Sequence, residues 1–297
     1  VDLVTPSYRA ASRLACALPG PLVEAVAPAL GSLAALRDTD RRRMVERHQR
    51  RVDPSLSGRA LAARVRAVYR SYARYYGESF RLPSVSAEEL DARLTYEGYE
   101  HIVAAREAGV GPMLVLPHLG SWEWCAYWLT RVAGVPVTAV VERLEPPALF
   151  EWFVRFRESI GMHIVPLGPQ AGRELVAAIK ERHVIALLVD RDISGGGVEV
   201  SFFGEKTTLP SGPAVLALRT GAPLLPTAVY DRGRGHHGVV RPPIPVERRG
   251  SFRDDVARIT QAMADELESL IRAAPEQWHL MQPNWPSDRD LVPGRRG

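Results

Sequence analysis

The 297-residue sequence is poor in cysteine, in lysine and in long apolar runs, and each shortage excludes something. Cys16 and Cys125 are the only cysteines. Two thiols so far apart build neither a disulfide framework nor a zinc site, and they suit a reducing compartment. No run of about 18 uncharged apolar residues occurs, so no membrane-spanning helix is expected. The nearest approach, Leu14 to Leu36, is broken by Pro19, Pro21, Glu24 and Pro28, and reads either as an interfacial segment or as short core helices. No basic stretch leads into an apolar run with a cleavage site, so no signal peptide is expected. There is no G-x-S-x-G nucleophile elbow. The GRGHHG stretch lacks dinucleotide-fingerprint spacing, and His236 and His237 read as a hairpin tip. Asp190 and Asp192 form an Asp-x-Asp, but ligand-spaced His or Glu is missing nearby, so no metal is expected.

Lysine is nearly absent: of 38 basic residues only Lys180 and Lys206 are lysines, and the remainder are arginine. A GC-rich genome accounts for the overall bias, whereas local clustering would point to phosphate-bearing surfaces, which guanidinium forks grip in two places. The run DTDRRRMVERHQRR, from Asp38 to Arg51, is such a cluster. It reads equally as a solvated helix face or as a basic helix resting on an anionic membrane surface. The arginines carry no interleaved aromatics of a nucleic-acid motif, so no nucleic-acid partner is expected.

What is present is an ordinary globular composition, 46% apolar and 24% charged. The first ninety or so residues read as helical. After Ser57, Leu61, Val65, Val68, Tyr72 and Tyr75 recur at helical spacing, and Ser86 with Glu89 forms a capping box. From Gly98 onward short Val/Leu-rich segments alternate with helical ones: PMLVLP, VPVTAVV, MHIVPL, VIALLVD, VEVSFFG and PLLPTAVYD. A final helix runs from Phe252 to Ala273. That alternation predicts an α/β fold with a mostly parallel central sheet covered by helices on both faces. The expected organisation is a single domain over 1–297, with a helical N-terminal region (1–94) preceding the α/β core (95–297).

The segment HLGSWE follows the first of these strands, where α/β sheets place their chemistry. His118 ends the strand, a Gly–Ser turn follows, and Glu123 lies in the opening turn of the next helix. A turn there would let Glu123 accept a hydrogen bond from one imidazole nitrogen, leaving the other to take a proton. Ser121 reads as that helix's N-cap rather than as a nucleophile.

HLGSWE resembles the H-x-x-x-x-[DE] signature of glycerolipid acyltransferases. Its surroundings resemble the bacterial lipid A biosynthesis acyltransferase family: RLEPPALFEWFVRFRESIG with Arg157, VIALLVDRD, VEVSFFGEKTTLPSGPAVLALRTGAPLLP, and the tail PEQWHLMQPNW. The resemblance covers roughly Tyr96 to Trp285. The commoner acid in the family is Asp; the Glu variant and the Arg/Ala-rich composition resemble actinobacterial members that acylate phosphatidylinositol mannosides. The resemblance implies acyl transfer without an acyl-enzyme. His118 is the general base, acyl-CoA the co-substrate with no further cofactor, and a membrane glycolipid the acceptor. The apolar anchor usual in Gram-negative members is missing, which implies peripheral attachment at the cytoplasmic face of the plasma membrane. Arg157 is then the expected phosphate or headgroup contact. Glu142 and Arg143 follow another strand and could face the same cleft. Glu199 either points outward from an edge strand or meets a basic group in the site. Asp190, Arg191 and Asp192 also end a strand, and an internal ion pair is the reading favoured for them. Two rival functions stand beside acyl transfer: lipid binding or transfer on the same scaffold, and acyl-CoA thioester or lipid hydrolysis.

Overall fold

The computed structural model describes residues 4–37 and 39–291. Four helices come first: α1 (Val4–Ala17), α2 (Gly20–Arg37), α3 (Thr39–Val52) and α4 (Gly58–Arg81). The apolar stripe read from sequence makes α4 their centre, with Leu61, Val65, Val68 and Tyr69 buried against Ala35, Val45 and Met281. The backbones of α2 and α4 approach so closely that a Cβ at Gly31 would lie 2.4 Å from the Tyr69 carbonyl oxygen. Only glycine fits there.

The core follows with α5 (Ala87–Ala92), β1 (Leu94–Glu97), α6 (Tyr99–Glu107), β2 (Met113–Leu116), α7 (Trp122–Arg131), β3 (Val137–Val141), α8 (Pro147–Ser159) and β4 (Met162–Pro166). It continues through α9 (Ala171–Lys180), β5 (Val184–Leu188), β6 (Val198–Phe202), β7 (Glu205–Leu209), α10 (Gly212–Thr220), β8 (Leu224–Asp231), β9 (His236–Val240) and α11 (Phe252–Ala273). The Ser86 hydroxyl accepts from the Glu89 N–H and caps α5, while the Glu89 carboxylate, expected to close a capping box, turns instead to Arg81 and Arg93.

Seven strands form one sheet in the order β1-β9-β8-β2-β5-β3-β4. Every neighbouring pair is parallel except β8 with β9. The central strands bury both faces, so their residues divide between two cores. Met113, Val115, Ile185, Leu187 and Leu224 pack with α9, α10 and α11. Leu114, Leu116, Val184, Ala186 and Leu225 pack with α7 and α8 on the other side. This is why these strands read as continuous apolar runs rather than as alternating ones.

Four sequence expectations change. VEVSFFG is no part of the central sheet: it pairs only with β7 in an antiparallel hairpin. The weakly apolar strands β1 and β9 were not anticipated. His236 is buried, not at a hairpin tip; it packs 4.6 Å from Trp124, neither ring nitrogen has a hydrogen-bond partner, Nε2 lies 3.6 Å from Glu78, and burial pushes its pKa down to about 3. The arginine cluster, whose Asp38 lies outside the described residues, is largely committed within the protein. Arg42 bonds Glu46 and the Ala35 carbonyl, Arg47 the Ser287 carbonyl, and Arg51 Glu205 and Asp288. The segment Leu14–Leu36 forms the end of α1 and most of α2, and Leu22, Val26, Leu30 and Leu33 stand exposed along α2. Among the described residues no helix is long and apolar enough to cross a membrane.

Candidate active site

Strands β2 and β5 are parallel neighbours with Leu116 opposite Leu188, and the Val189 N–H still reaches the Leu116 carbonyl at 2.9 Å. Each chain runs on two residues beyond that pair. The register therefore delivers His118 and Asp190 side by side at the carboxyl edge of the sheet. His118 Nδ1 lies 2.5 Å from Asp190 Oδ1, and the His118 backbone N–H donates to Oδ2 at 3.0 Å. The Trp278 indole N–H donates to the same Oδ2 at 2.8 Å. Burial drives the Asp190 carboxyl toward its neutral form, but the imidazole and these N–H donors outweigh it and hold the pKa below the usual value. Asp190 is wholly buried, whereas the His118 side chain is 37% exposed. One ring nitrogen is fixed and the other is left to the solvent side.

The segment after α11 fastens this arrangement. The His279 N–H donates to the His118 carbonyl at 2.7 Å, the Gly120 N–H to the Gln277 carbonyl at 3.0 Å, and Asn284 Nδ2 to the Asp190 carbonyl at 2.9 Å. Gly120 has φ +58°, and a Cβ there would sit 1.7 Å from the Val229 carbonyl oxygen, so the turn after His118 requires glycine.

Glu123 does not meet His118. Its carboxylate, almost fully buried, accepts from Arg157 Nε at 2.9 Å and Nη2 at 2.7 Å, and from the Ser79 hydroxyl at 2.7 Å. The physical reason is competition: a permanently charged guanidinium satisfies a buried carboxylate better than an imidazole that is charged only when protonated. Arg157 is accordingly buried. Desolvation opposes its charge, but Glu123 and Tyr75 beside it raise its pKa. Its guanidinium also lies over the rings of Phe153 and Trp122. Ser121 stands at the N-cap position of α7 as expected, but its hydroxyl makes no cap hydrogen bond and donates instead to Glu78 at 3.1 Å. The consecutive residues Glu78 and Ser79 of α4 thus hold both ends of the Ser121–Glu123 turn.

His118 opens on a cavity of about 410 Å³ whose wall includes Arg157, Glu142, Arg191, Tyr75, Tyr76 and His279. Glu142 and Arg191 pair with each other at 2.6 Å. A second cavity of about 380 Å³ shares Val140, Glu142, Leu188, Arg191 and Ile193 with the first, and continues between Leu175, Val176, Leu187 and Leu216. Of the remaining expectations, Arg143 and Glu199 separate from the site, whereas Asp192 lines the second cavity. Arg143 is exposed over Phe150, and Glu199 pairs outward with Lys206 at 2.7 Å on the β6–β7 hairpin. Asp192 caps its own turn, accepting from the N–H groups of Ser194, Gly195 and Gly197. The trio Asp190, Arg191 and Asp192 makes no mutual ion pair; each turns to a different partner. Among the described residues no group of three or more His, Cys, Asp or Glu is placed to hold a metal.

Sequence reasoning missed Trp278, His279 and Asn284. Their signal was the density of aromatic and amide residues in PEQWHLMQPNW, a stretch with neither helical nor strand periodicity.

A family model described as bacterial lipid A biosynthesis acyltransferase matches residues 7–287. The chain is 41% identical over 223 residues to a phosphatidylinositol mannoside acyltransferase of Mycobacterium tuberculosis, covering 73% of this chain and 69% of that one. Its counterpart in Mycolicibacterium smegmatis is 40% identical over 227 residues, 75% of this chain and 73% of the relative. A lipid A biosynthesis acyltransferase of Haemophilus influenzae is 27% identical over 201 residues, 65% and 59% of the two chains.

The Glu123–Arg157 pair gives a direct test. Removing one member leaves the other charge buried and alone, which costs about 3–5 kcal/mol, whereas removing both restores much of that. Glu123→Gln is expected to lower the unfolding free energy markedly, and Glu123→Gln with Arg157→Met to recover stability in denaturant titration. A Glu123→Gln protein as stable as the parent would contradict the pairing.

Proposed function

The chain belongs to the bacterial lipid A biosynthesis acyltransferase family and is an acyltransferase; from that premise we propose that it moves a long-chain fatty acyl group from acyl-CoA to a sugar hydroxyl of a membrane glycolipid, a mannose of a phosphatidylinositol mannoside. The observation that carries this reading is the His118–Asp190 pair opening on a cavity of mixed lining, beside a second, mainly apolar one that shares its Glu142 and Arg191 wall. The Glu142 and Arg191 side chains suit sugar hydroxyls and phosphate, and the second, mainly apolar cavity suits an alkyl chain.

In this mechanism the free nitrogen of His118 takes the proton of the acceptor hydroxyl as its oxygen attacks the thioester carbonyl carbon. The tetrahedral intermediate collapses, the C–S bond breaks, and the departing thiolate receives the proton held by His118. Asp190 orients the ring and stabilises the imidazolium that forms between the two transfers, the part first assigned to Glu123. Glu123 instead positions Arg157 in the cavity wall.

Attachment is peripheral, at the cytoplasmic face of the plasma membrane. The surface that supports this is the outer face of α2, where Leu22, Val26, Leu30 and Leu33 are exposed at helical spacing, with Leu14 and Leu36 exposed nearby. Arg9 and Arg13, exposed on α1, suit anionic headgroups.

Two measurements check these assignments. With acyl-CoA and phosphatidylinositol mannoside, His118→Ala and Asp190→Asn are each expected to lower kcat by roughly 10²–10⁴-fold in folded protein. Free fatty acid released without acceptor at a rate matching transfer would favour the hydrolase reading, and full turnover by either variant would remove the dyad. Replacing Leu30 and Leu33 by Ser should weaken binding to phosphatidylinositol-containing vesicles at least about tenfold, since each buried leucine contributes about 1.5–3 kcal/mol. Unchanged sedimentation with vesicles would take α2 out of the contact.

A further inference from the structure

The transfer reaction needs a hydrogen-bond donor for the carbonyl oxygen that becomes negative when the hydroxyl attacks. The backbone groups beside His118 are already committed. The His118 N–H goes to Asp190, the Leu119 N–H to the Pro117 carbonyl and the Gly120 N–H to the Gln277 carbonyl. Several polar side chains of the cavity are committed too: Arg157 bonds Glu123, Arg191 bonds Glu142, and the Tyr72 hydroxyl bonds that of Tyr76.

His279 differs from all of these. It lies in the wall of the same cavity as His118, and its backbone N–H is bonded to the His118 carbonyl, so the two histidines are fixed relative to each other. Its ring is buried to 7% exposure and braced between Tyr72 and Tyr75, at 5.4 and 5.5 Å. Nε2 lies 2.9 Å from the Ser71 hydroxyl. That hydroxyl has no other acceptor among the described residues, so its proton goes to Nε2 and the ring's own proton resides on Nδ1. Nδ1 has no hydrogen-bond partner among the described residues, yet it is not sealed off as the His236 nitrogens are, and the residue lines the cavity.

We propose that His279 is a catalytic residue of this site, whose Nδ1–H donates a hydrogen bond to the thioester carbonyl oxygen as it becomes an oxyanion. The proposal rests on the acyl-transfer reading above. No proton is transferred by His279: the charge develops on oxygen, the hydrogen bond strengthens, and both relax when the C–S bond breaks. Burial suits the ring to the task. It pushes the His279 pKa down to about 3, with His118 nearby acting in the same direction, so the imidazole stays neutral and keeps a single, oriented donor.

Steady-state kinetics of the full chain with acyl-CoA and phosphatidylinositol mannoside test this. His279→Phe keeps a ring and loses the donor; kcat is expected to fall roughly 10²–10³-fold with KM for acyl-CoA within about twofold. His279→Gln returns an amide donor and should recover at least about tenfold over Phe. Ser71→Ala frees the tautomer and should lower kcat by a smaller factor. A thioether analogue of acyl-CoA, which lacks the carbonyl oxygen, should inhibit the parent and His279→Phe equally. The inference is overturned if His279→Phe retains kcat within about threefold, if Gln is no better than Phe, or if Trp122→Phe, which removes the indole N–H of the cavity wall, produces the loss instead. Should His279→Phe not fold, parental kcat in both His279→Gln and Ser71→Ala shows a ring that only fills space, and an analogue that discriminates between parent and His279→Gln overturns the inference equally. Loss in His118→Ala without loss in His279→Phe removes this inference alone, whereas full activity in His118→Ala removes the reading beneath it.

Discussion

A buried carboxylate stripped of water must be given hydrogen-bond donors, and the Asp190 carboxylate organises the site around that requirement. It receives the His118 ring, the His118 backbone and the Trp278 indole, while its own backbone carbonyl takes the Asn284 amide. Three parts of the chain far apart in sequence, at His118, at Asp190 and from Trp278 to Asn284, are thereby held at one point. The donors that keep Asp190 ionised are the same contacts that fix the tautomer and direction of His118. Stability of the site and readiness of His118 for its proposed part as base are one arrangement.

The second buried carboxylate follows the same rule with a different partner. Glu123 is satisfied by Arg157 and Ser79, and this joins α7 to α8 and α4. The H-x-x-x-x-E spacing thus sets two adjoining carboxylate centres rather than one dyad. His118 turns to the neighbouring strand, and Glu123 turns to a fixed cation. Glu78, next to Ser79, holds Ser121, so α4 of the N-terminal helices clamps the turn after His118 from outside the sheet. Helix α2, whose exposed face is proposed to meet lipid, packs another face on that same α4, with Gly31 against Tyr69.

Much of this was legible from the sequence for definable reasons. The double-sided burial of β2, β5 and β8 writes itself as apolar runs, and α11 appears over the residues that its stripe marks, Phe252 to Ala273. His118 was legible because strand-end position and a glycine turn are local features. Its partner was not, because the choice of Asp190 over Glu123 depends on the β2–β5 register, which a chain read in one dimension does not contain. The hairpin β6–β7 was misplaced for a related reason: Val200 and Phe202 are buried against α11 and Trp285, so an edge hairpin carries the apolar signature of a central strand. The α3 arginines resembled a headgroup-binding face because their partners, Glu205, Ser287 and Asp288, lie more than a hundred residues away.

The central claim is that Asp190, and not Glu123, holds the His118 ring. Proton NMR of the imidazole N–H groups tests it most directly, with the His118 signal assigned by its loss in His118→Ala. A short hydrogen bond from Nδ1–H to a buried carboxylate moves that proton far downfield and protects it from exchange. The account predicts that this signal persists in Glu123→Gln and disappears, or moves sharply upfield, in Asp190→Asn. A signal that survives Asp190→Asn and vanishes in Glu123→Gln would contradict it.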